Sequence, residues 1–167
     1  MTDRLWAPWR MEFILGEKPS GCVLCSLADA EPSRESRVLA RSEHAYVVLN
    51  KYPYAAGHLM VVPRRHTSDL GALEPEEHDD LWRLVRSSLP ALARATNAEG
   101  INLGMNIGKA AGAGIAEHLH VHLVPRWVGD NNYVAVIGDL RVMPEHLDAT
   151  WDRLSPAFDA RTEGEGA

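Results

Sequence analysis

Three of the eight histidines in the chain stand at alternate positions in the segment AEHLHVHLVPRW. The alternating residues are His118, Leu119, His120, Val121, His122 and Leu123. Successive side chains of a β-strand point to opposite faces, so this spacing predicts three imidazoles on one face and three apolar side chains on the other. Three buried, unpaired imidazoles would be energetically expensive. We therefore expect the imidazole face to meet solvent, a ligand or a metal ion.

Three interpretations of this face compete. The histidines could simply line a solvated strand, or they could hold a catalytic Zn²⁺ that activates water. In the third interpretation, one imidazole attacks phosphorus while its neighbours orient it and neutralise the developing charge. The preceding loop, NIGKAAGAG, favours the third, because Gly108, Gly112 and Gly114 let backbone N–H groups approach phosphate oxygens. It is not a Walker loop, since Lys109 is followed by alanine.

The only two cysteines, Cys22 and Cys25, have the Cys-x₂-Cys spacing of half a tetrahedral zinc site or of a redox pair. Two incidental thiols could share this spacing. A disulfide framework is not expected in a reducing cytosol. We expect a cytoplasmic location, because the first residues, MTDRLWAPWRMEF, include acidic side chains and lack the apolar core of a secretory signal.

Length and charge limit the function further. With 167 residues the chain fits one domain, which we place at residues 1–158, with an N-terminal segment at 1–36 and a flexible tail at 159–167. The net charge of −6 argues against nucleic acid or an anionic membrane as a partner. No apolar run reaches the roughly 18 residues of a membrane span. Small anionic ligands remain compatible with this composition.

Hydrophobic patterning predicts the elements that position the histidines. Strands are expected at 38–41, 45–50, 58–63, 101–106 and in the histidine segment, and helices at 74–97 and 142–154. The apolar face of the histidine strand would pack against the first of these helices. This order of elements predicts an α+β fold with a mostly antiparallel sheet.

The segment HLHVHLV resembles the defining motif of the histidine triad (HIT) superfamily of nucleotide hydrolases and transferases. Further segments are similar to the bacterial branch described as diadenosine tetraphosphate (Ap4A) phosphorylases. They are LWAPWRMEFI, VVLNKYPYAAGHLMVVPRRH, NLGMNIG, AEHLHVHLVPRW and DNNYVAVIGDLRVMPE. The resemblance implies a HIT-like five-stranded sheet with helices packed on it, in a two-fold homodimer.

The resemblance also implies catalytic roles. The middle histidine of the motif, His120, would attack the α-phosphorus and form a covalent nucleotidyl-histidine. His122, and less directly His118, would hold the phosphate oxygens and orient the ring. His58 matches the fourth active-site histidine of the family. From the residues alone, His58 would instead be a structural histidine.

The same resemblance implies a set of substrate-binding residues. Asn50 matches the ribose-binding position, although an asparagine before a loop often caps a turn. The phosphate-contacting segment corresponds to Asn106, Gly112, Ala113, Gly114 and Ile115. Many relatives have a serine at the position of Gly114 or Ile115, and this chain lacks that hydroxyl. The absence leaves the leaving-group contact, and the choice of water or inorganic phosphate as acceptor, open.

Some relatives hold a structural zinc, and the matching ligands here are Cys22, Cys25, His66 and His118. His66 could equally be a solvated loop histidine. The resemblance favours phosphorolysis of an Ap4A-like dinucleoside polyphosphate to ADP and ATP. Two alternatives are hydrolysis of Ap4A or nucleoside phosphoramidates, and nucleotide binding with negligible turnover. The sequence does not decide whether Mg²⁺ is required.

Overall fold

A single antiparallel sheet carries the predicted site. The computed structural model describes residues 21–130 and 145–162, with side chains up to residue 159. The elements are α1 (Val23–Leu27), β1 (Val38–Arg41), β2 (Ala45–Leu49), β3 (Leu59–Pro63), α2 (Pro75–Thr96), β4 (Gly100–Gly104), β5 (Val121–Arg126) and α3 (Leu147–Thr162). The five strands pair antiparallel in the order β1-β2-β3-β5-β4. The predicted α+β fold with a five-stranded sheet is confirmed.

Helix α2 covers one face of the sheet. It begins with Pro75 and a capping box, in which Glu74 and Glu77 satisfy backbone N–H groups at the helix start. Its apolar side joins helix α3 and the strands in one buried cluster. This cluster includes Leu81, Leu84, Leu92, Leu119, Val121, Leu123, Leu154 and Phe158. The apolar half of the histidine segment therefore packs as its alternation predicts.

The opposite face of the sheet is covered by α1 and the residues around it. Leu24 and Ala28 pack on side chains of β1, β2 and β3. The Tyr46 hydroxyl on β2 donates a 2.6 Å hydrogen bond to the carbonyl oxygen of Leu24 in a buried environment. Because a buried hydroxyl left unpaired is costly, this bond fixes the short helix to the sheet. The two cysteines at the start of α1 are thereby held near the strands.

The histidine segment differs from the prediction in one respect. Strand β5 begins at Val121, so only His122 lies in the ladder, and His118 and His120 precede it. The pairing between β3 and β5 stops at Val61 opposite Val121, two residues before Pro63, whose nitrogen has no hydrogen to donate. The backbone N–H of Leu119 instead donates to the carbonyl oxygen of Thr67. The alternation of faces nevertheless continues through the segment.

Two element boundaries also differ. Strand β4 ends at Gly104, opposite His122, so Asn106 lies in the following loop and not in the strand. Helix α3 begins at Leu147 and continues to Thr162, past the boundary predicted for the tail. The N-terminal LWAPWRMEFI and most of DNNYVAVIGDLRVMPE lie outside the described residues. Within the described ranges, no helix is long and apolar enough to cross a membrane.

Candidate active site

His120 and His122 of the triad lie beside His58, a histidine from outside the triad, at the centre of the sheet. His122 lies between Met60 of β3 and Gly104 of β4. Its ring centroid is 5.0 Å from that of His58 and 4.8 Å from that of His120. The imidazole face, which we expect to meet solvent, a ligand or a metal ion, is largely covered within the described residues. His58, His120 and His122 are only 1%, 6% and 8% exposed, and hydrogen bonds offset the cost of burial.

His120 has its nitrogen atoms in the arrangement that a nucleophile requires. Its Nδ1 lies 2.9 Å from the carbonyl oxygen of His118. A carbonyl oxygen can only accept, so Nδ1 must carry the hydrogen and donate it. In the neutral ring the other nitrogen, Nε2, then has a free lone pair. The backbone of the preceding triad histidine therefore fixes the reactive tautomer of His120.

A second chain of hydrogen bonds orients His122. The backbone N–H of Tyr54 donates to Nδ1 of His58 at 3.0 Å, so the hydrogen of neutral His58 is on Nε2. This Nε2 lies 2.9 Å from Nδ1 of His122 and donates to it. Neutral His122 must consequently carry its own hydrogen on Nε2. The pair presents one N–H donor of defined direction.

Burial keeps both members of this pair neutral. Burial, with smaller contributions from His122 and His120, lowers the pKa of His58 to about 3. Burial and the neighbouring His120 lower the pKa of His122 to about 4. Removal from water disfavours the charged imidazolium, and adjacent imidazoles would repel it. Near neutral pH, His122 therefore offers a hydrogen bond without a positive charge.

These pKa values predict acid destabilisation. Between the ordinary histidine pKa of 6.5 and the folded values of about 3 and about 4, the unfolded chain binds protons that the native state does not. The contribution of these two histidines to the free energy of unfolding is therefore complete above pH 6.5 and decreases as the pH falls towards 4. We expect a loss of about 1 to 2 kcal/mol per histidine by about pH 5.

Urea unfolding as a function of pH measures this effect. The His58→Gln variant should lose part of the slope, whereas His78→Gln, which changes an exposed histidine on α2, should retain it. Equal slopes in wild type and His58→Gln would contradict the assigned pKa shift.

Asn50 lies beside this histidine pair. Its Oδ1 accepts a hydrogen bond from the backbone N–H of Tyr52 at 2.9 Å, so it does cap the turn. Its Nδ2 is 3.4 Å from Nδ1 of His58, and its own backbone N–H donates to the carbonyl oxygen of His58. Both the turn and the histidine therefore hold Asn50 at the end of β2.

The glycine-rich loop presents free backbone N–H groups. Gly108 and Gly112 flank a single 3₁₀ turn with φ values of 82° and 83°, which favour glycine. Gly112 lies close to Asn106, since a Cβ built on it would be 4.0 Å from Nδ2 of that side chain. In the described part of the chain, no acceptor pairs with the amides of residues 113–115. Such amides are suited to anionic oxygens.

A second cluster lies at the other end of the triad. Its members are Cys22, Cys25, His66 and His118, whose ligand atoms all lie within 4.8 Å of one another. Cys25 Sγ is 3.1 Å from His66 Nδ1 and 3.5 Å from His118 Nδ1, and Cys22 Sγ is 3.4 Å from His118 Nδ1. The structure thus brings together all four residues that the family resemblance implied as zinc ligands.

The cluster has the dimensions and donors of a tetrahedral zinc site. Zinc bonds of about 2.3 Å to sulfur and 2.0–2.1 Å to nitrogen place neighbouring ligand atoms about 3.5 Å apart. His118 Nε2 donates to the carbonyl oxygen of Pro63 at 2.9 Å, which leaves Nδ1 with the lone pair for a metal. Four protein donors fill a tetrahedron, so this arrangement leaves no position for a catalytic water. The geometry disfavours the zinc-hydrolase interpretation.

Tyr54 and the Pro63 carbonyl were not found from the sequence. The proline and glycine of KYPYAAG predict a loop. They do not show which backbone N–H of that loop donates to His58. Gly57 is the nearest signal, because it has a φ of +87° and an added Cβ would lie 2.9 Å from the methyl carbon of Thr96. The positive φ and the close approach to Thr96 both require glycine in the turn that brings the Tyr54 amide back to the His58 ring.

Comparison with known proteins identifies the class to which this sheet and its histidines belong. Residues 31–128 match the family model of the HIT domain. The chain therefore belongs to the HIT family.

Two relatives and one solved structure are informative. An AP-4-A phosphorylase of Mycobacterium tuberculosis is 39% identical over 156 residues, which cover 89% of this chain and 80% of that protein. A bis(5'-adenosyl)-triphosphatase of Dictyostelium discoideum is 31% identical over 93 residues, covering 56% of this chain and 62% of that protein. The crystal structure of a zinc-bound histidine triad family protein from Mycobacterium smegmatis has 26% identity and a TM-score of 0.67. That match covers 85% of this chain and 96% of the other.

Proposed function

We propose that the protein cleaves dinucleoside polyphosphates such as Ap4A through a nucleotidyl-histidine on His120, with inorganic phosphate as the acceptor. The observation that carries the proposal is the fixed tautomer of His120. Its Nδ1–H is held by the carbonyl oxygen of His118, which leaves the Nε2 lone pair beside the donor of His122. The similarity to a mycobacterial AP-4-A phosphorylase supports phosphorolysis.

The reaction divides into two displacements. The Nε2 lone pair of His120 forms a bond to the α-phosphorus, and the P–O bond to the rest of the substrate breaks, with its electron pair leaving on ATP. A phosphate oxygen then attacks the same phosphorus and breaks the P–N bond, which yields ADP and restores the imidazole. A histidine adduct replaces one difficult step by two easier ones, because a phosphoramidate is itself reactive.

The neighbouring groups would stabilise the charge on phosphorus. His122 would donate from Nε2 to a phosphate oxygen, and His58 would hold it in that orientation. Donors that are already in place require no reorganisation when charge develops. The free amides of residues 113–115 and the side chain of Asn106 would contact the polyphosphate, and Asn50 would contact the ribose.

Product analysis with Ap4A, with and without inorganic phosphate, tests this function. ADP and ATP that form only when phosphate is present would support phosphorolysis. AMP and ATP without phosphate would identify the hydrolase alternative, which is supported by the similarity to a triphosphatase. Tight binding with no products would identify the nucleotide-binding regulator. Parallel reactions with Mg²⁺ and with EDTA decide whether the ion takes part.

We further propose that Cys22, Cys25, His66 and His118 hold a structural zinc. When bound, the ion would join helix α1, the loop after β3 and the triad segment. It requires reduced thiols, which agrees with the cytoplasmic location expected from the sequence. The zinc-bound mycobacterial relative supports the assignment.

We also propose that the chain forms a homodimer through strand β4. This strand lies at the edge of the sheet, and four of its five residues are exposed. The exposed Leu103 in the strand and Ile107 just after it add apolar surface. An exposed strand edge with apolar side chains is a site for pairing with a second chain.

Sedimentation should therefore give twice the chain mass of 18.4 kDa. The Leu103→Lys variant should shift towards the monomer, because a buried lysine would oppose pairing. Ala72→Lys, at an exposed position before α2, is the matched control and should remain dimeric. A wild-type protein that sediments as a monomer would contradict this proposal.

A further inference from the structure

Tyr54 lies against the two histidines that orient the site. Its ring centroid is 4.6 Å from that of His58 and 5.6 Å from that of His122, with interplanar angles of 38° and 39°. The residue is nevertheless 46% exposed, so its ring lies between the buried pair and solvent on one side. Neither the triad motif nor the zinc cluster involves this residue.

The backbone of Tyr54 acts on the same pair. A peptide N–H can only donate, and its 3.0 Å contact requires His58 Nδ1 to be an acceptor. Asn50 contributes a second donor. Because its Oδ1 accepts from the Tyr52 amide, its Nδ2 is the atom that faces His58, at 3.4 Å. Two N–H donors therefore converge on one imidazole nitrogen.

These contacts determine the tautomers of two residues. With Nδ1 occupied as an acceptor, His58 carries its hydrogen on Nε2 and donates to Nδ1 of His122. His122 then carries its hydrogen on Nε2. If the hydrogen of His58 were on Nδ1, it would face the Tyr54 amide hydrogen. Nε2 of His58 would then be an acceptor, so His122 would donate to it from Nδ1 and would present a lone pair, not a donor, at Nε2.

We propose that Tyr54 is a positioning residue of the active site, whose amide fixes the tautomers of His58 and His122 and whose ring holds both imidazoles away from water. Water beside the pair could donate or accept at either nitrogen and would remove the distinction between the tautomers. The consequence for catalysis rests on the proposed function. The tautomers themselves do not depend on it.

Three variants separate the two parts of this role. Tyr54→Phe keeps both the amide and an aromatic ring. Tyr54→Ala keeps the amide and removes the ring. Tyr54→Pro removes the amide hydrogen, because proline has none. Tyr52→Ala, on the neighbouring exposed tyrosine, is the control for a change in the same loop.

Nitrogen-15 NMR of histidine-labelled protein without substrate reads the tautomers directly. In wild type, Tyr54→Phe and Tyr52→Ala we expect His58 and His122 to be protonated on Nε2. In Tyr54→Pro only the longer Asn50 contact remains, so we expect a mixture of tautomers. Protonation of His58 on Nδ1 in the wild type would overturn the proposal, and this result is available even if Tyr54→Pro does not fold. Wild-type tautomers in a folded Tyr54→Pro would overturn the role of the amide.

Single-turnover transfer of the nucleotidyl group from Ap4A measures the effect of the ring. The rate in Tyr54→Ala should fall about tenfold with little change in Ap4A affinity, as expected for a misplaced transition-state donor. Tyr54→Phe should restore the rate. A wild-type rate in Tyr54→Ala, or an effect on affinity alone, would contradict the role of the ring. Absence of transfer in wild type would count against the proposed function, while the NMR result would still decide the tautomers.

Discussion

Replacement of His120 by alanine should reduce turnover of Ap4A at least about 10⁴-fold, because the variant has no nitrogen to form the covalent intermediate. The fold should remain intact. In the described structure, the His120 side chain donates a hydrogen bond to the carbonyl oxygen of His118, two residues away. Its loss therefore breaks a local contact and not one between distant elements. Steady-state kinetics and circular dichroism of the purified variant measure the two effects.

Two other variants calibrate this result. His122→Ala should lower turnover by about 10²- to 10³-fold, the usual cost of one lost donor to developing charge. His78→Ala, on the exposed face of α2, should leave turnover unchanged. Activity of His120→Ala within about tenfold of wild type would contradict the nucleophile assignment, since so small a loss corresponds to about one hydrogen bond.

The second large effect is expected from loss of the metal site. The Cys22→Ser, Cys25→Ser double variant should contain no zinc, whereas the wild type should contain about one ion per chain. Its free energy of unfolding should be lower by about 4 kcal/mol when free zinc is about a thousand times the dissociation constant. Elemental analysis and urea unfolding measure both, with Ser26→Ala, in the same short helix, as control.

Chelation distinguishes a structural ion from a catalytic one. Four protein ligands leave no open position, so activity should decline only as structure is lost. A catalytic zinc would behave differently, because its removal should stop turnover at once and leave the fold largely intact. Rapid, reversible inhibition of a folded protein by chelator would contradict the structural assignment.

The alternation of apolar and imidazole side chains was enough to predict how the triad is oriented. Leu119, Val121 and Leu123 are all in the core against α2, as a period of two requires. The packing of this helix was likewise predictable, since its apolar residues recur at three- and four-residue steps. The residues alone did not assign His58, His66 or Asn50 to the site. Those assignments came from the resemblance to a family.

Other features depend on contacts between distant parts of the chain. The ladder ends before Pro63, whose carbonyl oxygen instead accepts from the His118 side chain, and no local pattern predicts this contact between distant segments. The burial of the histidines depends on how the loops fold over the sheet. The tautomer of His120 is set by the His118 carbonyl, and that of His58 by the Tyr54 amide together with the Asn50 side chain. Backbone donors and acceptors are present at almost every residue, so the sequence cannot single them out.

The most direct test of the central claim is to trap the covalent intermediate. The reaction with Ap4A labelled at the α-phosphorus should be stopped during turnover and the protein separated from free nucleotide. We expect label on the protein that is stable in alkali and released by acid, as for a phosphoramidate, located on His120 and absent from His120→Ala. Full turnover without any trappable adduct, or label that persists in His120→Ala, would contradict the account.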